Sequence, residues 1–108
     1  MFNYLIQIEY DGTKYVGWQY QKNGISVQEK IEIALKKIFN SKIRIHGAGR
    51  TDKGVHAIGQ FANFLIKKKI DDKNRFLNSI NFFLGKNLIS LIAVKEKKIK
   101  FHARHNAK

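Results

Sequence analysis

The 108-residue chain has no cysteine, no proline and few acidic residues, with 8 Asp and Glu against 21 Lys and Arg. Without cysteine there is no disulfide framework, no thiol nucleophile and no cysteine-ligated metal. No apolar run approaches the ~20 residues that a membrane span needs, and Met1 leads into an alternating segment instead of a signal peptide. The length allows one domain and excludes a conventional multidomain enzyme. Disorder is excluded by the apolar content, 44% hydrophobic and 12% aromatic, which supplies a real core. These absences predict a cytoplasmic globular protein with no membrane partner.

What the chain has in excess is positive charge, a net +13. Such a surplus points to a polyanion, whether nucleic acid, an anionic membrane surface or an acidic protein. Seventeen of the basic residues are lysine and four are arginine, so most of the charge lacks bidentate geometry. The chain is also rich in Ile and Asn, and a general bias towards Lys accounts equally well for any single cluster, such as Lys67-Lys68-Lys69. No strongly basic amphipathic helix is present, which disfavours a membrane surface.

Periodicity gives the elements. Phe2, Tyr4, Ile6, Ile8 and Tyr10 alternate with Asn3, Leu5, Gln7 and Glu9, which predicts a strand with one apolar and one mixed face. Ser26-Val-Gln-Glu29 is a capping-box sequence, and Val27, Ile31, Ala34, Leu35 and Ile38 behind it repeat at helical spacing as far as Phe39. Ile43–His46 reads as a short strand and Val55–Ile66 as a longer one. Asp71-Asp72 can cap a second helix carrying Phe76, Leu77, Ile80, Phe83 and Leu84, with Gly85 as its stop. Leu88–Val94 is a last strand, and Lys95–Lys100 a charged connector. The order β-α-β-β-α-β predicts an α+β, ferredoxin-like fold with both helices on one face of the sheet and the other face open. Tyr4, Tyr10, Phe2, Phe61 and Phe64 are expected in the core, and Trp18 and Tyr15 either stack on RNA or anchor the packing.

The segment Gly47-Ala-Gly-Arg-Thr-Asp-Lys-Gly54 holds three glycines in eight residues. They allow positive-φ backbone and close approach of a ligand. Arg50 can stack on a base or bind phosphate bidentately, and Asp52 is a potential nucleophile or general base. Dinucleotide-binding and Walker A patterns fail on spacing, and a third local ligand for His46 and His56 is missing, so no metal is expected. On the residues alone, a glycine-rich hairpin in which Arg50 and Asp52 pair with each other is the simpler account.

Gly47-Ala-Gly-Arg-Thr-Asp-Lys-Gly-Val-His-Ala57, followed by Gly59-Gln60, closely resembles the catalytic motif of the TruA family of tRNA pseudouridine synthases. Glu9-Tyr-Asp-Gly-Thr13, Gly17-Trp-Gln19, Ser26-Val-Gln-Glu29 and Phe101-His-Ala-Arg104 resemble further family segments in the same order, over the whole chain. The resemblance implies an isomerase that converts uridine to pseudouridine at positions 38–40 of the tRNA anticodon stem-loop, with neither metal nor cofactor. Asp52 matches the catalytic aspartate, whose carboxylate forms a covalent adduct at uracil C6 or ribose C1′. Arg50 matches the arginine suited to hold the flipped nucleotide out of the stack. Thr51, His56, Gln60 and Arg104 are the accompanying candidates for RNA contact, and an Arg104–Asp52 pair would keep the carboxylate ionised.

The family continues into a second, similar domain and works as a homodimer that holds tRNA in a shared basic cleft. The 108 residues are therefore expected to be the N-terminal, catalytic-loop domain alone, with weak activity or none. Gly85 stands where the family usually has proline, and His105 where it usually has phenylalanine. A stand-alone ferredoxin-like RNA-binding module without catalysis is the second reading. Neither Phe2–Tyr10 nor Val55–Ile66 carries the aromatic spacing by which such modules stack bases.

Overall fold

In the computed structural model, which describes residues 1–18, 22, 24–48 and 57–102, strands and helices follow the expected order. They are β1 (Phe2–Tyr10), α1 (Val27–Phe39), β2 (His46–Gly47), β3 (Ala57–Ile66), α2 (Lys73–Leu84) and β4 (Ile89–Lys97). The strands lie in the order β2-β3-β1-β4, and every pairing is antiparallel. This is the α+β, ferredoxin-like arrangement. Because α1 carries the chain across β3, β2 returns parallel to β1 without touching it.

β1 folds as its alternation dictates. Tyr4, Ile6, Ile8 and Tyr10 are buried, and through the register Phe64 and Ala62 of β3 and Val94 and Leu91 of β4 share their face. The apolar stripes of α1 (Val27, Ile31, Ala34, Leu35) and α2 (Phe76, Ile80, Leu84) close this core. Phe76 brings the layers together, 5.9 Å from the Phe39 ring and 6.4 Å from that of Phe64. The Tyr4 hydroxyl accepts a hydrogen bond from Ile70 N–H at 2.8 Å, so its polar end is satisfied inside.

Both helix starts are capped as their sequences require. Ser26 Oγ accepts from Glu29 N–H at 3.1 Å and Asp72 Oδ1 from Arg75 N–H at 3.0 Å. Asn40 ends α1 in the left-handed region at φ 54°. Gly85 ends α2 at φ 50°, a value closed to proline, so the turn here differs from one built on proline.

Three expectations are corrected. Of the expected strand Ile43–His46, Ile43, Arg44 and Ile45 are not strand, although Ile43 and Ile45 are buried. Ile45 N–H donates to Glu32 Oε2 at 3.0 Å and its carbonyl accepts from Gln28 Nε2 at 3.3 Å, so α1 takes the groups a ladder would use. The strand starts at His46, and His46 and Gly47 are in register with Asn63 and Ala62 of β3. Lys95–Lys97 is not a connector but the end of β4, paired with Asn3–Leu5, and it puts lysine on an edge strand where charge discourages further pairing. Phe61 is 40% exposed, because its register with Gln7 puts it on the face away from the helices.

Candidate active site

The ends of the glycine-rich segment are held by neighbouring strands. β2 closes at Gly47, and Ala48 N–H extends the pairing by donating to Phe61 O at 2.7 Å. On the other side β3 opens at Ala57, opposite Tyr10. Arg50, Thr51, Asp52 and His56 lie outside the described residues, as does Arg104.

Gly47 has a packing role that the motif does not reveal. A Cβ there would stand 2.3 Å from Trp18 Nε1 and 2.7 Å from Cε2, well inside van der Waals contact. Trp18 is 2% exposed and its indole stacks on Tyr10, centroids 6.1 Å apart at 27°. Trp18 is thus a packing anchor beneath the start of the segment. Tyr15 is also buried, and its hydroxyl donates to the Asn87 carbonyl. Burial, and after it the charge of Asp11, holds the Tyr15 phenol above its ordinary 10.0.

Gly59 has φ 83° at a β-bulge, where the register between β1 and β3 shifts between Ile8 and Glu9. Gln60, the next residue, is half-buried opposite Ile8, and its Oε1 accepts from Phe61 N–H at 3.1 Å. The bulge interrupts the two-residue alternation along β3.

The open face of the sheet is crossed by the chain that leaves β4. A turn at Lys98–Phe101, closed by Phe101 N–H to Lys98 O at 2.9 Å, leads to His102, whose ring lies 5.2 Å from that of His46. His46 belongs to β2 and Lys97 to β4, the two opposite edges, so residues 98–102 form a strap across the face. The clip that holds it is Asn3, whose Nδ2 donates to the carbonyls of Lys98 at 2.9 Å and Phe101 at 2.8 Å. In the sequence, alternation puts Asn3 only on the mixed face of its strand. Its one available signal was a second amide, Asn63, on the same face of the adjacent strand. Among the described residues, no group of three or more His, Asp and Glu could hold a metal ion.

The family model for tRNA pseudouridine synthase matches residues 6–106, which takes in β1 from Ile6 onward, the glycine-rich segment and the strap. The chain belongs to the tRNA pseudouridine synthase family. Among curated members, it is 49% identical over all 108 residues to tRNA pseudouridine synthase A of Pelagibacter ubique. It is 47% identical to the protein of that name from Caldicellulosiruptor saccharolyticus and 43% to that from a Thermoanaerobacter species. In each case the whole chain aligns, with 44%, 43% and 43% of the relative respectively. The chain thus spans less than half the length of these tRNA pseudouridine synthases.

Proposed function

We propose that these 108 residues are the N-terminal domain of an enzyme that isomerises uridine to pseudouridine at positions 38–40 of the tRNA anticodon stem-loop, with Asp52 as covalent catalyst. The observation that carries this reading is the unbroken family match over residues 6–106, within which the segment around Asp52 falls.

The chemistry suits the residue types. The Asp52 carboxylate bonds to uracil C6 or ribose C1′, and the C1′–N1 bond breaks. The ring then turns and C5 bonds to C1′. C5 gives up its proton, N1 gains one, and the adduct collapses to free carboxylate, so no atom is gained or lost overall. The target base must first leave the stack, at a cost of about a few kcal/mol, and Arg50 fills the space it leaves. Thr51, His56, Gln60 and Arg104 contact the RNA around it. The net charge of +13 serves the phosphates of the stem. The working enzyme is a cytoplasmic homodimer whose cleft needs the second domain, so the 108 residues alone turn over little or nothing.

The test uses an extended protein, in which this chain is followed by the second half of the Pelagibacter ubique relative. Mapping pseudouridine in treated tRNA should find it at positions 38–40 with the extended protein and at background level with the 108 residues alone. Modification elsewhere in the tRNA would overturn the site assignment. Equal rates for the two proteins would overturn the need for a second domain.

A further inference from the structure

Asn3 is 1% exposed, and its amide is fully engaged. Nδ2 spends both protons on the strap carbonyls of Lys98 and Phe101, at 2.9 and 2.8 Å, and Oδ1 accepts from Asn63 Nδ2 at 3.2 Å. Two carbonyls on one side of the amide fix its orientation, since only the nitrogen end can donate to them. The sheet itself does not need this group. An apolar side chain would pack between strands without the desolvation that a buried amide must offset by bonding.

What the amide serves is the strap. From β4 to β2 the face is three strand spacings wide, about 14 Å, and the five residues of the strap cross it through the turn at Lys98–Phe101 and the reach of the two histidine side chains. A strap this short has its path set by where it is fastened. It is fastened at Asn3 through the first and last residues of its turn, and it ends with the His102 ring against that of His46. His102 is two residues before Arg104, and His46 directly precedes Gly47 and the segment that holds Asp52.

We infer that Asn3 is a positioning residue for the reaction: by clipping the strap it sets where the chain leading to Arg104 meets the start of the Asp52 segment. The inference rests on the active-site reading given above. It adds a residue at the far end of β1, without contact to substrate, on which the rate depends.

Two measurements test it together. In the 108-residue chain, Asn3→Leu should speed hydrogen exchange at Phe101 N–H by about 10- to 100-fold, the equivalent of two lost hydrogen bonds, while core amides of β1 and α1 keep their protection. The nuclear Overhauser contact between the rings of His46 and His102 should vanish. In the extended protein the same variant should lower kcat by about 10- to 100-fold with KM for tRNA held within about twofold. Circular dichroism should show the folded fraction unchanged.

Two further variants separate the strap bonds from the amide pair. Asn3→Asp keeps an acceptor for Asn63 but loses both donors, and should behave as Asn3→Leu does. Asn63→Ala leaves both strap bonds in place and should lose less than about threefold in kcat. An unchanged Phe101 amide in Asn3→Leu would overturn the clip. A released strap with undiminished kcat would overturn the positioning role. Full activity in Asp52→Asn would instead overturn the active-site reading and leave the clip standing.

Discussion

Replacing Gly47 with alanine probes the contact between the glycine-rich segment and the core. The new Cβ would stand 2.3 Å from Trp18 Nε1, 2.7 Å from Cε2 and 3.1 Å from Cζ2, where about 3.5–4.0 Å is comfortable. The indole must retreat by about 1 Å or more, yet it is buried and backed by Tyr10 at 6.1 Å. Overpacking of this kind destabilises by about 1–3 kcal/mol. In a domain of this size that lowers Tm by roughly 4–20 °C. Trp18 is the single tryptophan, so its fluorescence reports both the displaced ring and the unfolding transition in urea. A cycle with Trp18→Phe, followed by circular dichroism, isolates the clash, because the smaller ring relieves it and should give a coupling of about 0.5–3 kcal/mol. The reasoning is refuted if Gly47→Ala unfolds within about 0.5 kcal/mol of the parent, or loses the same stability in both backgrounds.

Other perturbations follow from single contacts. The folded-state phenol of Tyr15 lies above 10.0, so as pH rises the unfolded chain ionises first. Its contribution is intact below about pH 10 and is lost as pH climbs towards the folded-state value. Tyr15→Phe should lose about 1 kcal/mol at neutral pH, where it lacks the bond to the Asn87 carbonyl, and should show a shallower fall than the parent in alkaline thermal melts. An equally steep alkaline fall would show that Tyr15 does not cause it. Ser26→Ala removes the acceptor for Glu29 N–H at a fully buried cap and should destabilise by about 1–2 kcal/mol in urea titrations, whereas a neutral result would mean that the cap is redundant. RNA binding by the chain should weaken with salt at a log–log slope of about −0.7 to −0.9 per phosphate neutralised, and a salt-independent complex would contradict the use assigned to the charge.

The parts of the fold legible in the sequence are those set by local chemistry. α1 runs over Val27–Phe39 as expected because the Ser26 cap and a helical repeat lie side by side in the chain. β2 is shorter than its apolar residues suggest because what competes for Ile45 is a carboxylate and an amide on α1, thirteen and seventeen residues away. The lysines at the end of β4 read as a linker, since charge on an edge strand and charge in a loop look alike without the neighbour. Phe61 read as core because an aromatic in an apolar strand gives no sign of which face is covered. Gly59 belongs to the motif in the sequence, but its positive φ is visible only at the bulge. The candidate site was legible through its motif alone, because spacing and residue type left Asp52 and Arg50 as an ordinary pair. The clip at Asn3 was hidden for a different reason. Its partners lie 95 and 98 residues away, and backbone carbonyls leave no mark in a sequence.

The central claim is that Asp52 performs the chemistry. The most direct measurement is release of tritium from 5-tritiated uridine in tRNA by the extended protein and by its Asp52→Asn variant. Breaking the C5–H bond releases the label, so counts in solution follow turnover. The account predicts steady release by the parent and none above background from Asp52→Asn, with tRNA binding retained in the variant. Undiminished release by Asp52→Asn would contradict it.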